Sequence, residues 1–163
     1  MELLHSDLER HILVGRVNGE VRLVAAQTLA AGTCLFEIQG VRSRQKSRFS
    51  VQLDDDLHIE VDACASADEL LAQHYWRFLN HGCDPNVVLR GAQVLALRDI
   101  GQHEEIVFDY ETTEFEMAEP FQCSCGASTC RGQIRGFKHL APAQREALRG
   151  QLAAHLLRRI GAA

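Results

Sequence analysis

The chain has 163 residues, 46% of them hydrophobic, and a formal net charge of −5, enough for one core that buries about 70% of the unfolded surface. The negative balance argues against a general nucleic-acid binder, which needs clustered positive charge to release counterions, and suits a basic protein partner better. No run approaches the ~18 apolar residues of a membrane span, and Met1 to Asp7 lacks the basic and apolar parts of a signal peptide, so a soluble intracellular protein, cytoplasmic or nuclear, is expected.

In chain order, His11 to Val17 and Val21 to Ala26 are apolar, β-branched runs around Asn18-Gly19, which predicts a hairpin with a type I′ turn. A third strand is predicted over Cys34 to Gln39. Arg42, Arg44, Lys46 and Arg48 recur every second residue, so an extended segment would point all four to one face, either as a charged edge strand or as a basic stripe. Phe49 to Leu53 and Leu57 to Val61 flank Asp54-Asp55-Asp56 and predict a hairpin whose acidic tip is a solvated turn or a patch for a lysine-rich substrate.

Ser66-Ala67-Asp68-Glu69 has the form of a capping box, which predicts a helix starting there and running to Leu79. His74, Tyr75 and Trp76 read as packing residues on it. Strands are predicted over Asn86 to Arg90, Val94 to Arg98 and Glu104 to Phe108, which leaves Tyr110 just past a strand end. Pro142 opens a predicted terminal helix over Ala143 to Ile160, with Leu148, Leu152, Leu156 and Ile160 forming an apolar stripe. Packing on its own domain is the default for that stripe, and a homodimer through it is the alternative.

Arg77-Phe78-Leu79-Asn80-His81-Gly82-Cys83-Asp84-Pro85-Asn86 sets an amide, an imidazole and a thiol beside a proline-fixed turn. Cys123-Ser124-Cys125-Gly126-Ala127-Ser128-Thr129-Cys130 supplies three further thiols, one short of the four that a closed structural zinc site wants, and Cys83 is the candidate fourth. The clustering and the lack of an export signal favour metal over disulfides, with a Cys123–Cys130 disulfide or redox pair as the rival. Cys34 and Cys64 read as buried thiols acting as small hydrophobes.

These motifs in this order, with Glu105-Ile106-Val107-Phe108-Asp109-Tyr110 between them, resemble a SET-domain lysine methyltransferase with a post-SET zinc segment. The resemblance covers about residues 12 to 136. It implies a β-rich α+β fold of several small sheets around a pseudoknot, with a post-SET zinc site and a C-terminal helix. The division expected is a SET domain over 1–120, a zinc segment over 121–136 and a helical extension over 137–163.

The resemblance further implies S-adenosylmethionine as cofactor, structural Zn2+, and a protein partner that presents a lysine. Tyr110 is implied as the catalytic tyrosine, orienting the amine and the methyl group. Asn80 and His81, with Tyr110, are implied to hold the cofactor, and Phe115 to line the lysine tunnel, with Phe121 the other aromatic nearby. One departure stands out: Glu20 and Arg22 occupy the positions of the family's Gly-x-Gly, where bare backbone meets the cofactor, so a clash or an outward loop is expected. Two other functions fit the same residues, a zinc-stabilised binding module without catalysis and a methyltransferase for a small molecule.

Overall fold

A computed structural model describes residues 1–7 and 11–161. The chain begins with β1 (Glu2–Asp7), β2 (Ile12–Val17) and β3 (Glu20–Ala25), an antiparallel sheet in that order. The β2–β3 turn has positive φ at both central residues, 52° at Asn18 and 87° at Gly19, as a type I′ turn requires. β4 (Cys34–Glu37) follows, then β5 (Val41–Ser43), β6 (Val51–Asp54) and β7 (Leu57–Glu60), the last three forming a sheet of order β5-β7-β6.

The capping box forms as read: Ser66 Oγ accepts the Glu69 N–H at 3.2 Å and Glu69 Oε2 accepts the Ser66 N–H at 2.8 Å. The helix it opens is shorter than expected. α1 (Ala67–Ala72) buries no residue and stops at Gln73, and a 3-10 turn over Tyr75–Phe78 replaces its continuation. The break re-aims the chain so that Tyr75 and Trp76 enter the core, where the Trp76 indole donates to Gln39 O at 2.9 Å. Burying two large aromatics outweighs a few residues' helical preference.

β8 (Asn80–His81), β9 (Val87–Arg90), β10 (Gln93–Ala96) and β11 (Val107–Phe108) come next. β10 sits between β4 and β9, while β8 and β11 pair in parallel, Val107 opposite Asn80 and Phe108 opposite His81. Gly82 makes that pairing close, since a Cβ there would lie 2.8 Å from Val107 Cγ2. Asn86 stitches the same junction: its Oδ1 accepts Val107 N–H at 2.9 Å and its Nδ2 donates to Glu105 O at 2.8 Å. Residues 80–83 are thereby brought beside 107–110.

A 3-10 turn over Tyr110–Thr112 leads to the two-stranded ladder of β12 (Phe121–Gln122) and β13 (Gln133–Ile134). The terminal helix is two helices, α2 (Pro142–Ala147) and α3 (Ala154–Gly161). Between them Arg90 of β9 donates to the carbonyls of Gly150, Gln151 and Leu152, the middle one at 3.2 Å, and Ala153 N–H donates to Thr112 O at 2.8 Å. Carbonyls held by a guanidinium are not free to accept helical hydrogen bonds, so the chain turns there. Leu148, Leu152 and Leu156 are buried with Phe137 and Leu140 in a cluster of their own.

Three surface expectations change. Cys34 and Cys64 are exposed: the β4–β10 register shifts between Phe36 and Cys34, where the consecutive residues Leu35 and Phe36 are both buried, and an Asp62 carboxylate accepting the Cys64 N–H at 2.9 Å pins that turn at the surface. The basic residues do not share a face: the strand ends at Ser43, and Lys46 and Arg48 leave it for Glu116 at 3.4 Å and Glu119 at 3.6 Å. The acidic tip is not an open patch, for Arg158 and Arg159 of α3 pair with Asp54 and Asp55, Arg159 at 2.6 Å. No helix among the described residues is long and apolar enough to cross a membrane.

Candidate active site and cysteine centre

One cavity of about 1090 Å³ runs between the first sheet, residues 47–51, the segment 76–82, the stretch 104–110 and the loop 117–127. Tyr110 stands on its wall. The phenol donates to Leu79 O at 2.8 Å, its backbone N–H donates to His81 Nδ1 at 3.2 Å, and its ring packs against Phe108 at 4.8 Å. Burial first, then the charges of Glu114 and Glu105, holds its hydroxyl well above the usual phenol range, so it stays a neutral donor.

Asn80 lines the same cavity and donates from Nδ2 to Glu105 Oε1 at 3.0 Å. Glu105 reaches this point because residues 104–106 run along β3, Ile106 N–H donating to Leu23 O at 2.8 Å. The departure at Glu20 and Arg22 does not push the strand outward. β3 keeps its register with β2, Glu20 is exposed, and Arg22 lies along the cavity wall bridging Glu20 and Glu105, each at 2.7 Å. These two ion pairs hold the long Arg22 side chain between Glu20 and Glu105.

Phe115 is not on the cavity wall. Its backbone is drawn to β6 and to the last segment, its N–H donating to Gln52 Oε1 at 2.8 Å and its carbonyl accepting Lys138 N–H at 3.0 Å, and the ring packs in the C-terminal cluster with Arg159 4.1 Å from its centroid. Of the two, Phe121 lines the cavity, together with Phe49, Trp76, Phe78 and Phe108, and its ring lies 6.0 Å from that of Tyr110 and 5.7 Å from that of His81.

The sulfurs of Cys83, Cys123, Cys125 and Cys130 all lie within 4.8 Å of one another, Cys83 and Cys123 at 4.0 Å. Thiolates about 2.3 Å from a tetrahedral ion stand about 3.8 Å apart, whereas a disulfide needs about 2.0 Å, so the set matches a shared cation and not a bridge. N–H groups serve the sulfurs: Arg131 N–H reaches Cys83 at 3.5 Å and Cys125 N–H reaches Cys123 at 3.4 Å. Without a cation burial drives the Cys83 thiol well above its usual range. A four-cysteine metal site is what these residues can make.

Sequence reasoning missed two groups. Arg131 bridges Asp109 at 2.5 Å and Glu111 at 2.7 Å, and both carboxylates are buried. Burial works against the guanidinium's charge, but the Asp109 and Glu111 carboxylates more than offset it. Acids on both sides of Tyr110 in a buried run were the signal that a cation must come from elsewhere in the chain. Glu114 is the second, 7% exposed on the cavity wall.

Small sheets around a parallel junction, with a tyrosine and a thiol cluster at one cavity, define the SET class of domain. The SET-domain family model matches residues 20–111, and the chain belongs to that family. It is 32% identical over 100 residues, 56% of this chain and 11% of the relative, to "Histone-lysine N-methyltransferase, H3 lysine-4 specific" of Schizosaccharomyces pombe. It is 31% identical over 126 residues, 68% of this chain and 12% of the relative, to the protein of the same description in Saccharomyces cerevisiae. The chain thus spans about an eighth or less of the length of these two relatives. Among solved structures, KRYPTONITE in complex with mCHG DNA and SAH superposes with a TM-score of 0.54 at 24% identity, covering 74% of this chain and 28% of that one. The methyltransferase domain of human SETMAR gives 0.51 at 18% identity, covering 72% and 54%. Likeness at that identity concerns the fold.

Proposed function

We propose that this chain transfers a methyl group from S-adenosylmethionine to the side-chain amine of a lysine in a protein substrate. The observation that carries it is the shared cavity in which Tyr110, Asn80 and His81 meet the loop of the cysteine cluster. The named activity of the relatives and the SAH in the KRYPTONITE structures support it. The cofactor supplies a methyl group on a sulfonium, and its amino-acid end carries both charges. Residues of both signs fit that end: Asn80, Glu105 and Arg22 form one linked group on the cavity wall, and the buried Arg22 Nε has no hydrogen-bond partner among the described residues.

Tyr110, kept protonated and anchored to Leu79 O, orients the amine without acting as a bulk base. Phe121, not Phe115, supplies the aromatic wall. The cysteines would hold one structural Zn2+ as four thiolates, with no open position for chemistry. The zinc segment, 121–136, then closes one side of the cavity built by residues 1–120, and the extension 137–163 braces it through Thr112 and Thr113.

The test uses trideuteromethyl-labelled cofactor, core histones and mass spectrometry. The expected product is labelled lysine, with about one zinc per chain in protein purified under reducing conditions. Cofactor binding without any label transfer would leave a binding module, and label on a low-molecular-mass amine alone would move the substrate class. Full zinc in Cys83→Ser would defeat the four-thiolate site.

A further inference from the structure

Glu114 shares the cavity with Tyr110 and forms no ion pair among the described residues. Its Oε1 accepts the Gln52 N–H at 2.7 Å and the Thr113 hydroxyl at 3.5 Å, and no group among the described residues hydrogen-bonds Oε2. Lys46 is the basic group whose charge reaches it, but the Lys46 ammonium is spent on Glu116, 3.4 Å from Oε2 and 3.2 Å from the backbone carbonyl. The loop is rigidly held, since Gln52 also accepts Phe115 N–H at 2.8 Å and Glu114 O accepts Phe137 N–H at 2.8 Å. Gly136 allows this approach, because any Cβ there would meet Glu116 Cα at 2.6 Å.

A glutamine would satisfy the Gln52 N–H equally well, so this contact does not account for a carboxylate. A buried carboxylate without a cation is costly unless something positive arrives. Burial raises its pKa to about 7, with the Gln52 and Thr113 hydrogen bonds and the Lys46 charge opposing. The ligand that cavity, charge and position fit is an alkylammonium.

We propose that Glu114 is the carboxylate that receives the cationic amine of the substrate in this cavity and takes its proton before methyl transfer. The ammonium N–H bond breaks, its electron pair stays on nitrogen, and the proton forms a carboxylic acid on Oε2. After transfer the new methylammonium keeps its own protons, and Glu114 releases its proton to solvent through the open cavity. The amine ionises with a pKa of about 10.4, so about one in 2,500 is neutral at pH 7; Glu114 leaves that free-energy cost in place and supplies the bound ammonium with a local acceptor for its proton. Cation binding stands on Glu114 alone; only the proton step rests on the methyltransferase reading.

The groups that face Glu114 are Lys46, from the segment between β5 and β6, and Tyr110, which stays protonated; Gln52 of β6 and Thr113 are uncharged, and burial keeps His155 of α3, bonded to Thr113 O at 2.8 Å, disposed to neutrality. The test is an NMR titration of the full chain with n-butylammonium chloride in phosphate at pH 6 and pH 8. Wild type should bind about tenfold more tightly at pH 8, as expected for an acceptor ionising near 7. Glu114→Gln should bind at least tenfold more weakly at pH 8 and lose the pH dependence, while Glu114→Asp keeps the dependence at lower affinity, with urea unfolding as the control for folding. Equal binding by wild type and Glu114→Gln, or no binding by wild type, overturns the proposal. Probe binding through Glu114 without methyl transfer to core histones would sink the methyltransferase reading and leave the cation site standing. Methyl transfer by Glu114→Gln with the wild-type rate and pH profile would do the reverse.

Discussion

His81 Nε2 lies 3.2 Å from Cys83 Sγ while its Nδ1 accepts the backbone N–H of Tyr110 at 3.2 Å. An Nδ1 that accepts must be unprotonated, so the neutral ring carries its proton on Nε2 and donates it to the sulfur. Burial and then the Arg131 charge depress the imidazole to about 4, which keeps it neutral. One ring thus ties the thiol cluster to the backbone of the tyrosine.

His81→Phe keeps the ring packing against Tyr110 and Phe121 but deletes the N–H donor. Metal affinity should fall about 10- to 100-fold, the usual cost of losing such a supporting hydrogen bond. Competition with a chromophoric chelator measures it, and unchanged affinity would show that the contact does not matter to the metal.

Arg131→Met leaves Asp109 and Glu111 buried without their cation. Breaking a buried pair from one side costs about 3 to 5 kcal/mol. Urea unfolding of the metal-loaded protein should show a loss of that size. A change below 1 kcal/mol would mean that solvent already reaches the two carboxylates.

Tyr110→Phe removes one hydroxyl, and with it the bond to Leu79 O. The stability cost should be about 1 kcal/mol, with kcat down about 10²-fold and cofactor affinity nearly unchanged, because an orienting contact used in the transition state appears in turnover. Isothermal calorimetry paired with initial rates separates the two, and normal turnover would remove Tyr110 from the mechanism.

His155 is 1% exposed, donates from Nε2 to Thr113 O and leaves Nδ1 buried without a partner among the described residues. Burial depresses its pKa below the ordinary 6.5. A histidine depressed in the folded state binds protons more readily when unfolded, so its contribution is complete above pH 6.5 and is lost as pH falls below it. Stability should therefore drop between pH 7.5 and 5. His155→Gln keeps an N–H for Thr113 O and cannot titrate, so its stability should fall less over that range. Parallel slopes in urea unfolding would assign the acid sensitivity to other groups.

The local motifs were legible because their physics is short-range. Ser66 caps Glu69 and Asn18-Gly19 turns a hairpin whatever lies around them, and the spacing of Cys123, Cys125 and Cys130 commits three sulfurs to one loop. The roles proposed for Tyr110 and Asn80 come from the resemblance of the ordered motifs, and the structure sets both residues on one cavity. Helix ends and surfaces were not legible. Tyr75 and Trp76 break their helix to enter a core built from distant strands, Arg90 breaks the terminal helix by holding its carbonyls, and Cys34 yields the interior to Leu35 and Phe36. The sequence by itself determined which residues can turn, cap or bind a metal. Only the tertiary structure decided that Phe115 faces the C-terminal helices while Phe121 and Glu114 face the cavity, because which side chain a loop turns inward depends on the long-range hydrogen bonds of Gln52, Phe137 and Lys138, and these leave no periodic trace in the chain.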